Sequence, residues 1–441
     1  MVILVKAAQL LLSLSILVIF HEFGHYIAAK IFKTRVEKFY LFFDPWFSLF
    51  KFKKGETEYG IGWLPLGGYV KISGMIDESM DKEQLKLPPQ PFEFRAKPAW
   101  QRLIIMLGGV TVNILLAIGI YIITLAAWGE EYLPTTEVKY GITVDSLGQQ
   151  LGLRNGDKIL TVDNAVVEDF FKIPGRIILE NAKSIQIERD GQKMDIQVPA
   201  GFLSKLIKHQ SPDFISVRIP FEVADFAKSS VAPAAGIKVG DKIIGLNDES
   251  TPYFDQFKSA LGKKKNQDVT VVALRGSDTV RMQVKVPAEG MLGIAPKPPI
   301  EYFTFKERHY NIIEAVPAGI HKAYKGVGNY LKQLKLIFSP EVKAYESVGG
   351  FITIGKIFPS TWDWEAFWGL TAFLSIMLAI LNVLPIPALD GGHVLFLLFE
   401  IITGRKPSDK FLEYAQIVGM VLLFGLLIFA NGNDIIKLFR H

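Results

Sequence analysis

The sequence predicts a membrane protein of the α-helical class, with four transmembrane helices and a soluble insert of two tandem β-rich α+β domains between helices 2 and 3. Three observations support this prediction. About half of the 441 residues are apolar and only 21% are charged, a low share for a soluble chain. The apolar residues concentrate in four segments, each long enough to cross the hydrocarbon core as a helix. An eight-residue pattern occurs twice between the second and third of them, at the spacing of a small domain.

The four apolar segments reach the roughly 20 residues that a membrane helix needs. They cover 2–29, 103–127, 367–386 and 411–430. The first begins like a signal peptide, with Lys6 as its charged start. No small-x-small cleavage pattern follows Phe20, however, so we expect this segment to stay in place as a membrane helix.

The charge distribution indicates membrane topology and not nucleic-acid binding. The net charge is only +5, and the basic residues lie beside the apolar segments. They cluster at 30–54, 95–102 and 405–410, which the positive-inside rule places in the cytoplasm. Both termini and residues from about 129 to 360 then lie outside, although Lys437 and Arg440 oppose this orientation. Because cysteine is absent, disulfides and thiolate metal sites are excluded, and a metal must use histidines and carboxylates.

The soluble insert contains an internal repeat. GLRNGDKI occupies 152–159 and GIKVGDKI occupies 236–243, and β-rich runs such as 184–189 and 268–274 accompany them. Each Gly-Asp pair predicts a tight turn that leads into a strand. The pattern resembles the PDZ domain, and the alternative is another small β-rich domain with such a turn. The resemblance implies that 140–144 and 220–224 receive peptide C-termini by strand addition.

Residues 311–340 have a helical period of apolar residues, with lysines between them and Pro340 at the end. Such a helix either covers a soluble domain or lies on the membrane surface. We favour the membrane surface because the third apolar segment follows soon after.

His21-Glu22-Phe23-Gly24-His25 matches the H-E-x-x-H pattern. Positions i and i+4 share one face of a helix, so that both imidazoles can reach one zinc ion. Glu22 lies on that side and can take a proton from the attacking water. The alternative is a polar cluster that packs helices together. We favour chemistry, because ionisable groups at membrane depth are costly and usually functional.

A catalytic zinc site needs a third protein ligand. The stretch 382–393, NVLPIPALDGGH, breaks the third apolar segment with prolines and glycines. Broken helices at membrane depth are tolerated where they line a cavity. Asp390 is the candidate ligand, and His393 is a rival that position alone does not exclude.

These motifs resemble the site-2 protease family, and the paired PDZ-like domains resemble its regulator of sigma-E protease branch. The resemblance covers nearly the whole chain. It implies that His21, His25 and Asp390 hold zinc as the cofactor and that Glu22 activates a zinc-bound water. It thereby favours Asp390 over His393.

The resemblance also implies a membrane-dipping β-hairpin at 59–72, whose edge strand holds the unwound substrate at Gly60, Ile61 and Gly62. A Gly-rich cytoplasmic turn is the alternative. Asn382 resembles a family asparagine that helps to hold the substrate, and a polar contact at a helix end is its alternative. The stretch 347–350, SVGG, departs from the Ser-Gly-Pro of many relatives.

The expected function is hydrolysis of peptide bonds inside transmembrane segments. The family implies single-span membrane proteins as substrates, such as a pre-cleaved anti-sigma factor or a remnant signal peptide, with membrane lipid as a further partner and no nucleic acid. It also implies a multi-pass protein of the inner membrane, with the active site near the cytoplasmic side and the PDZ-like domains periplasmic. An inactive scaffold and an ion transporter are the competing hypotheses. The intact motif set argues against the scaffold, and four spans without a membrane repeat argue against the transporter.

The predicted organisation assigns each part of the chain a place. It comprises helix 1 with HEFGH (1–30), a cytoplasmic segment with the hairpin (31–97), helix 2 (98–128), PDZ-like domains (131–203 and 212–290), the amphipathic helix (311–340), helix 3 with Leu-Asp-Gly (364–404) and helix 4 (411–431).

Overall fold

The computed structural model describes residues 2–75, 88–208, 214–337 and 349–439. Some parts of the predicted segments lie outside the described residues, namely 76–87, 212–213, 338–340 and 347–348. The helices are α1 (Val2–Ile31), α2 (Ala99–Ala127), α3 (Ser146–Gln150), α4 (Ile173–Leu179), α5 (Phe202–Lys208), α6 (Phe254–Gly262), α7 (Ile312–Ile337), α8 (Phe351–Lys356), α9 (Trp364–Val383), α10 (Asp390–Thr403) and α11 (Asp409–Phe439).

The strands follow the same chain order. They are β1 (Val36–Lys54), β2 (Thr57–Ile72), β3 (Glu130–Tyr132), β4 (Ile142–Val144), β5 (Lys158–Val162), β6 (Ser184–Arg189), β7 (Gln192–Gln197), β8 (Ile215–Val217), β9 (Val223–Phe226), β10 (Lys242–Leu246), β11 (Glu249–Ser250), β12 (Asp268–Arg275), β13 (Asp278–Lys285), β14 (Ile294–Pro296) and β15 (Lys306–Arg308).

The chain divides into two compact units, and the first contains the apolar helices. It comprises the residues up to Gly129, His309–Lys335 and the described residues after 348. Among the described residues, α1, α2, α9 and most of α11 are long and apolar enough to cross a membrane. The second unit, Glu130–Arg308, is rich in strands. The predicted class of a membrane α-helical protein with a β-rich insert is confirmed at this level.

Small residues let the membrane helices approach closely. A Cβ on Gly24 of α1 would overlap the backbone of Gly108 on α2. Close contact of this kind is how helices associate in lipid, where no hydrophobic driving force acts between them. The hydroxyl of Thr371 on α9 donates to that of Ser13 on α1 at 3.0 Å, which adds an interhelical hydrogen bond.

The third apolar segment is interrupted. Helix α9 ends at Val383, and α10 begins at Asp390. Pro385 and Pro387 lie between them and have no N–H to continue a helical ladder. Asp390 therefore stands at the start of a new helix and not within a continuous one.

Helix α7 is amphipathic, as its period predicts. Ala315, Gly319 and Ala323 are buried, and a Cβ on Gly319 would press on Ile122 of α2. On the other side Ile313 and Tyr324 are 79% and 78% exposed. One face thus packs within the first unit, whereas the other presents apolar side chains outwards.

The second unit contains two β-rich domains, each with its own core. Strands β5, β6 and β7 form the sheet of the first, and β11, β10, β12 and β13 form the sheet of the second. Phe170 and Phe214 are buried in the first core. Phe221 and Phe257 are buried in the second.

The repeated octet makes the same contacts in both domains. Asp157 is 1% exposed, accepts the N–H of Arg154 at 2.7 Å and pairs with Arg189. Arg189 also donates to the carbonyl of Gly152, the first residue of the octet. The repeat therefore has a structural role. Its carboxylate links the octet turn to Arg189, the last residue of β6.

In the second domain the equivalent carboxylate is Asp241, also 1% exposed. It accepts the N–H of Lys238 at 2.8 Å and pairs with Arg275 at 2.7 Å. Arg275 donates to the carbonyl of Gly236, as Arg189 does to Gly152.

We predict that Arg275→Met destabilises the second domain, because it leaves a buried carboxylate without its charged partner. Hydrogen exchange on the full chain should show faster exchange in β10 and β12. The matched variant Arg189→Met should instead lose protection from hydrogen exchange in β5 and β6. Equal protection of β10 in wild type and Arg275→Met would contradict the assignment.

The same contact makes the second domain sensitive to acid. Burial raises the pKa of Asp241, but the hydrogen bonds from Arg275 and the Lys238 N–H lower it more, to below its ordinary value of 3.8. Such a carboxyl stabilises the fold fully above the ordinary pKa and loses this contribution as pH falls through the folded-state pKa. The difference in stability of the second domain between wild type and Arg275→Met should therefore be constant above about pH 5 and become smaller below about pH 4.

Candidate metal centre

Two histidines and one aspartate converge inside the first unit. His21 and His25 lie one turn apart on α1, and Asp390 is the first residue of α10. The two Nε2 atoms are 3.3 Å apart, and each lies 3.2 Å from Oδ2 of Asp390. Among the described residues, this is the group of histidine and acidic side chains that could hold a metal ion.

The hydrogen bond at the far side of His25 defines which nitrogen faces the cluster. Nδ1 of His25 lies 2.9 Å from the carbonyl oxygen of Ile105 on α2. A carbonyl only accepts, so Nδ1 carries the proton. Nε2 then presents its lone pair to the cluster, as a metal ligand requires.

The donor set fits zinc. Zinc binds histidine nitrogen and carboxylate oxygen at about 2.0–2.2 Å in tetrahedral geometry, which places neighbouring ligand atoms about 3.3 Å apart. The three observed separations of 3.2–3.3 Å match this distance between ligand atoms. Oδ2 of Asp390 is also buried and, despite its two near nitrogens, receives no aligned hydrogen bond. A cation would satisfy it.

Glu22 lies beside the cluster on the same helix. Its carboxylate accepts the backbone N–H of Val70 on β2. A Cβ on Gly68 would contact the Glu22 side chain, so β2 runs directly past this carboxylate. The proposed base and the hairpin are therefore held together.

The loop before Asp390 is held by the last helix. Ala388 has a φ of +78°, which a residue with a Cβ rarely adopts. Its N–H donates to Oε1 of the buried Gln416 on α11 at 3.2 Å. A Cβ on Gly419 would overlap the carbonyl of Pro387. Helix α11 thus fixes the strained turn that delivers Asp390.

His393, the rival ligand, lies elsewhere. It lines a small cavity of about 60 Å³ together with Arg102 and Glu400, whose side chains pair at 2.5 Å. It is not among the three side chains that converge.

Asn382 stands close to the cluster, at the end of α9. Its Nδ2 lies 3.2 Å from Nε2 of His21, on the side where the ligand atoms meet. Its predicted contact with the substrate therefore stays a prediction, while its contact with His21 is observed.

Gly60 and Ile61 do not lie at an edge of the hairpin. Gly60 lies opposite both Tyr40 and Lys51, so its backbone has a strand on each side. In contrast, Tyr69 lies opposite Tyr40 alone, and no other described strand pairs with the outer side of 68–72. The open edge nearest the cluster is therefore 68–72, whereas Gly60 and Ile61 lie between two strands. The role of Gly60, Ile61 and Gly62 in substrate binding stays a prediction.

Sequence reasoning did not find the contribution of α2. Ile105, Gly109 and Asn113 recur every four residues and form one stripe that faces the two histidines. A Cβ on Gly109 would lie 2.7 Å from Nδ1 of His21 and 2.6 Å from its Cε1. The only sequence signal was a lone asparagine and a glycine pair in an otherwise apolar helix.

Comparisons with known proteins define the class. The model of peptidase family M50 matches residues 9–426. The chain belongs to this family, the site-2 proteases, and is a zinc-dependent metalloprotease.

The relatives are similar over their whole length. A putative zinc metalloprotease of Xylella fastidiosa (strain Temecula1) is 27% identical, over 97% of this chain and 98% of the relative. A putative zinc metalloprotease of Vibrio cholerae and the regulator of sigma E protease of Haemophilus influenzae are each 26% identical over the same shares. The recognition of the family, the enzyme class and the zinc cofactor are thereby confirmed.

We predict that Gly109→Ala lowers zinc affinity on the order of tenfold or more, because the added methyl displaces both imidazoles from the ligand positions. Zinc content and chelator competition on detergent-purified protein measure this. Gly119→Ala on the same helix is the matched control, since no atom lies within 4 Å of a Cβ there. Wild-type zinc affinity in folded Gly109→Ala would contradict the proposed centre.

Proposed function

We propose that the protein hydrolyses peptide bonds within the transmembrane segments of single-span membrane proteins, with His21, His25 and Asp390 as zinc ligands and Glu22 as general base. The observation that carries this proposal is the position of the cluster. Its two histidines lie on a helix with the length and composition of a membrane span, where such side chains are rarely placed without function.

The chain's own residues supply the proton transfers. Zinc, when bound, acts as a Lewis acid that lowers the pKa of water and polarises a carbonyl. Glu22 accepts a proton from the attacking water while the oxygen of this water bonds to the scissile carbonyl carbon. As the C–N bond breaks, Glu22 delivers this proton to the leaving amine nitrogen. The N–H of Val70 orients the Glu22 carboxylate for both transfers.

The substrate must present an extended chain, because a helix hides its peptide bonds in its own hydrogen bonds. We propose that the unwound segment adds as a strand to the open edge 68–72. This edge passes Glu22, so that an added strand would lie beside the metal ligands. Asn382 then holds a substrate carbonyl, and Gly60, Ile61 and Gly62 are proposed to support the bound segment from the same strand, β2.

Two surfaces support contact with the membrane. The irregular middle of β1 exposes apolar side chains, with Trp46 91% and Phe47 57% exposed. Helix α7 exposes Ile313 and Tyr324 beside its lysines, as an interfacial helix does. The basic flanks favour an inner-membrane protein with its metal centre near the cytoplasmic side and its insert in the periplasm.

The two domains of the insert are proposed to be PDZ-like and to restrict the access of substrates to the active site. They occupy the connection between two membrane helices and carry none of the three convergent side chains. Binding of peptide C-termini at 140–144 and 220–224 stays a prediction, because the backbones of Ile142 and Val223 already hydrogen-bond to the octet turns. One relative's name refers to regulation of sigma E, which favours a pre-cleaved anti-sigma factor as the type of substrate.

We predict that Glu22→Gln retains zinc but lowers cleavage of a single-span substrate by at least about 10³-fold, because an amide cannot accept the proton of water. Purified enzyme and substrate in detergent, with zinc content measured in parallel, test this. Glu365→Gln, on the exposed first turn of α9, is the matched control and should cut normally. Near wild-type cleavage by Glu22→Gln would exclude Glu22 as the base. Absence of cleavage by wild type of every single-span substrate would favour the scaffold hypothesis.

We predict that removal of the insert relaxes discrimination by size. The deletion should span 133–305, because β3 and β15 pair and place Tyr132 opposite Lys306, where a short Gly-Ser linker joins them. One substrate helix is compared with a short or a folded outer segment. Wild type should cut the short form faster, and the deletion should bring the two rates together while zinc stays bound. An unchanged ratio with both forms still cut would favour partner-binding domains.

A further inference from the structure

Asn113 on α2 is a buried amide with an unusual neighbour. Its side chain is fully buried, and its Nδ2 lies 3.3 Å from Nδ1 of His21. Its Oδ1 is buried without a hydrogen-bond partner. An orphaned acceptor of this kind is costly and calls for an explanation.

The proposed ligand role of His21 supplies the explanation. Nε2 of His21 points at His25 and Asp390, so it offers its lone pair there when it holds a metal. The proton then resides on Nδ1, which becomes a donor. The Nδ2 of an asparagine is a donor too, and two donors 3.3 Å apart repel each other.

A half turn of the Asn113 carboxamide removes this conflict. The amide oxygen and nitrogen occupy nearly the same space, and the hydrogen-bond network decides between them. After the half turn, Oδ1 stands opposite Nδ1 of His21 and can accept its proton, while Nδ2 takes the buried position that Oδ1 had. Asn382 does not serve this purpose, because its amide lies at Nε2 on the metal side.

We propose that Asn113 is a positioning residue that accepts the hydrogen bond of His21 Nδ1–H and thereby sets the tautomer and ring orientation of this zinc ligand. The proposal rests on the proposed function of His21. It makes Asn113 the counterpart of the Ile105 carbonyl, which does the same for His25 at 2.9 Å. Both acceptors belong to the same stripe of α2, with Gly109 between them leaving room for the rings.

Helix packing is the competing role for Asn113. Its backbone carbonyl accepts the hydroxyl of Ser375 on α9 at 2.8 Å, and polar contacts of this kind join membrane helices. That contact uses the backbone, however, and survives any substitution of the side chain. Ser375→Ala removes it without touching His21 and therefore reports the packing role alone.

The test measures zinc affinity by chelator competition on full-length protein in detergent, with thermal unfolding of the metal-free protein as the measure of folding. Asn113→Leu should weaken zinc binding about 10–100-fold, the usual effect of losing such an outer partner. Asn113→Asp keeps the acceptor and should remain close to wild type, as should Ser375→Ala. Asn113→Ala repeats the comparison if the leucine variant does not fold.

The outcomes separate this proposal from the one on which it rests. His21→Ala is measured in the same assay. Loss of zinc in His21→Ala with wild-type affinity in folded Asn113→Leu would overturn the role of Asn113 alone. Equal losses in Asn113→Leu and Asn113→Asp would overturn it too, because the acceptor would then be irrelevant. Wild-type affinity in His21→Ala would instead overturn the ligand assignment.

Discussion

The structure depends on one constraint: polar groups at membrane depth must satisfy one another. Two imidazoles from α1 and a carboxylate from α10 bring their lone pairs to one point. In water such atoms would each be solvated, whereas here the carboxylate oxygen Oδ2 is buried without an aligned donor. A zinc ion at this point would resolve the arrangement, since it would replace several missing hydrogen bonds at once.

The surrounding helices leave space for this cluster and bring its residues together. Gly24 and Gly108 let α1 and α2 approach closely, and Gly109 leaves space for the histidine rings. The break after α9 turns the chain so that Asp390 starts a helix at the cluster, and Gln416 of α11 holds the strained Ala388 before it. The stability of the last helix against this loop is therefore part of the metal centre, although α11 contributes no ligand.

The sequence allowed much of this to be predicted, for definite physical reasons. The H-E-x-x-H spacing requires only a helix to bring His21 and His25 together, and α1 is such a helix. The repeated octets predicted matching turns because each carries the same glycines and the same aspartate. Four apolar segments predicted four membrane helices because the bilayer sets their length.

Other features depend on tertiary contacts that no local pattern encodes. The hairpin folds back so that Tyr40 pairs with both Gly60 and Tyr69, which places Gly60 and Ile61 inside the sheet and leaves 68–72 as the edge. Nothing in the glycine pattern distinguishes these two parts of β2. Asn113 and Gly109 are single residues in an apolar helix, and only the position of α2 beside α1 gives them a role.

The central claim is that His21, His25 and Asp390 together hold one zinc ion, and X-ray absorption at the zinc edge of the purified protein tests it most directly. One zinc per chain is expected, with two imidazoles and a carboxylate oxygen among its ligands. Asp390→Ala should lose the metal, and His393→Ala should leave the spectrum unchanged. Full zinc content in Asp390→Ala, together with a loss in His393→Ala, would exclude this ligand set.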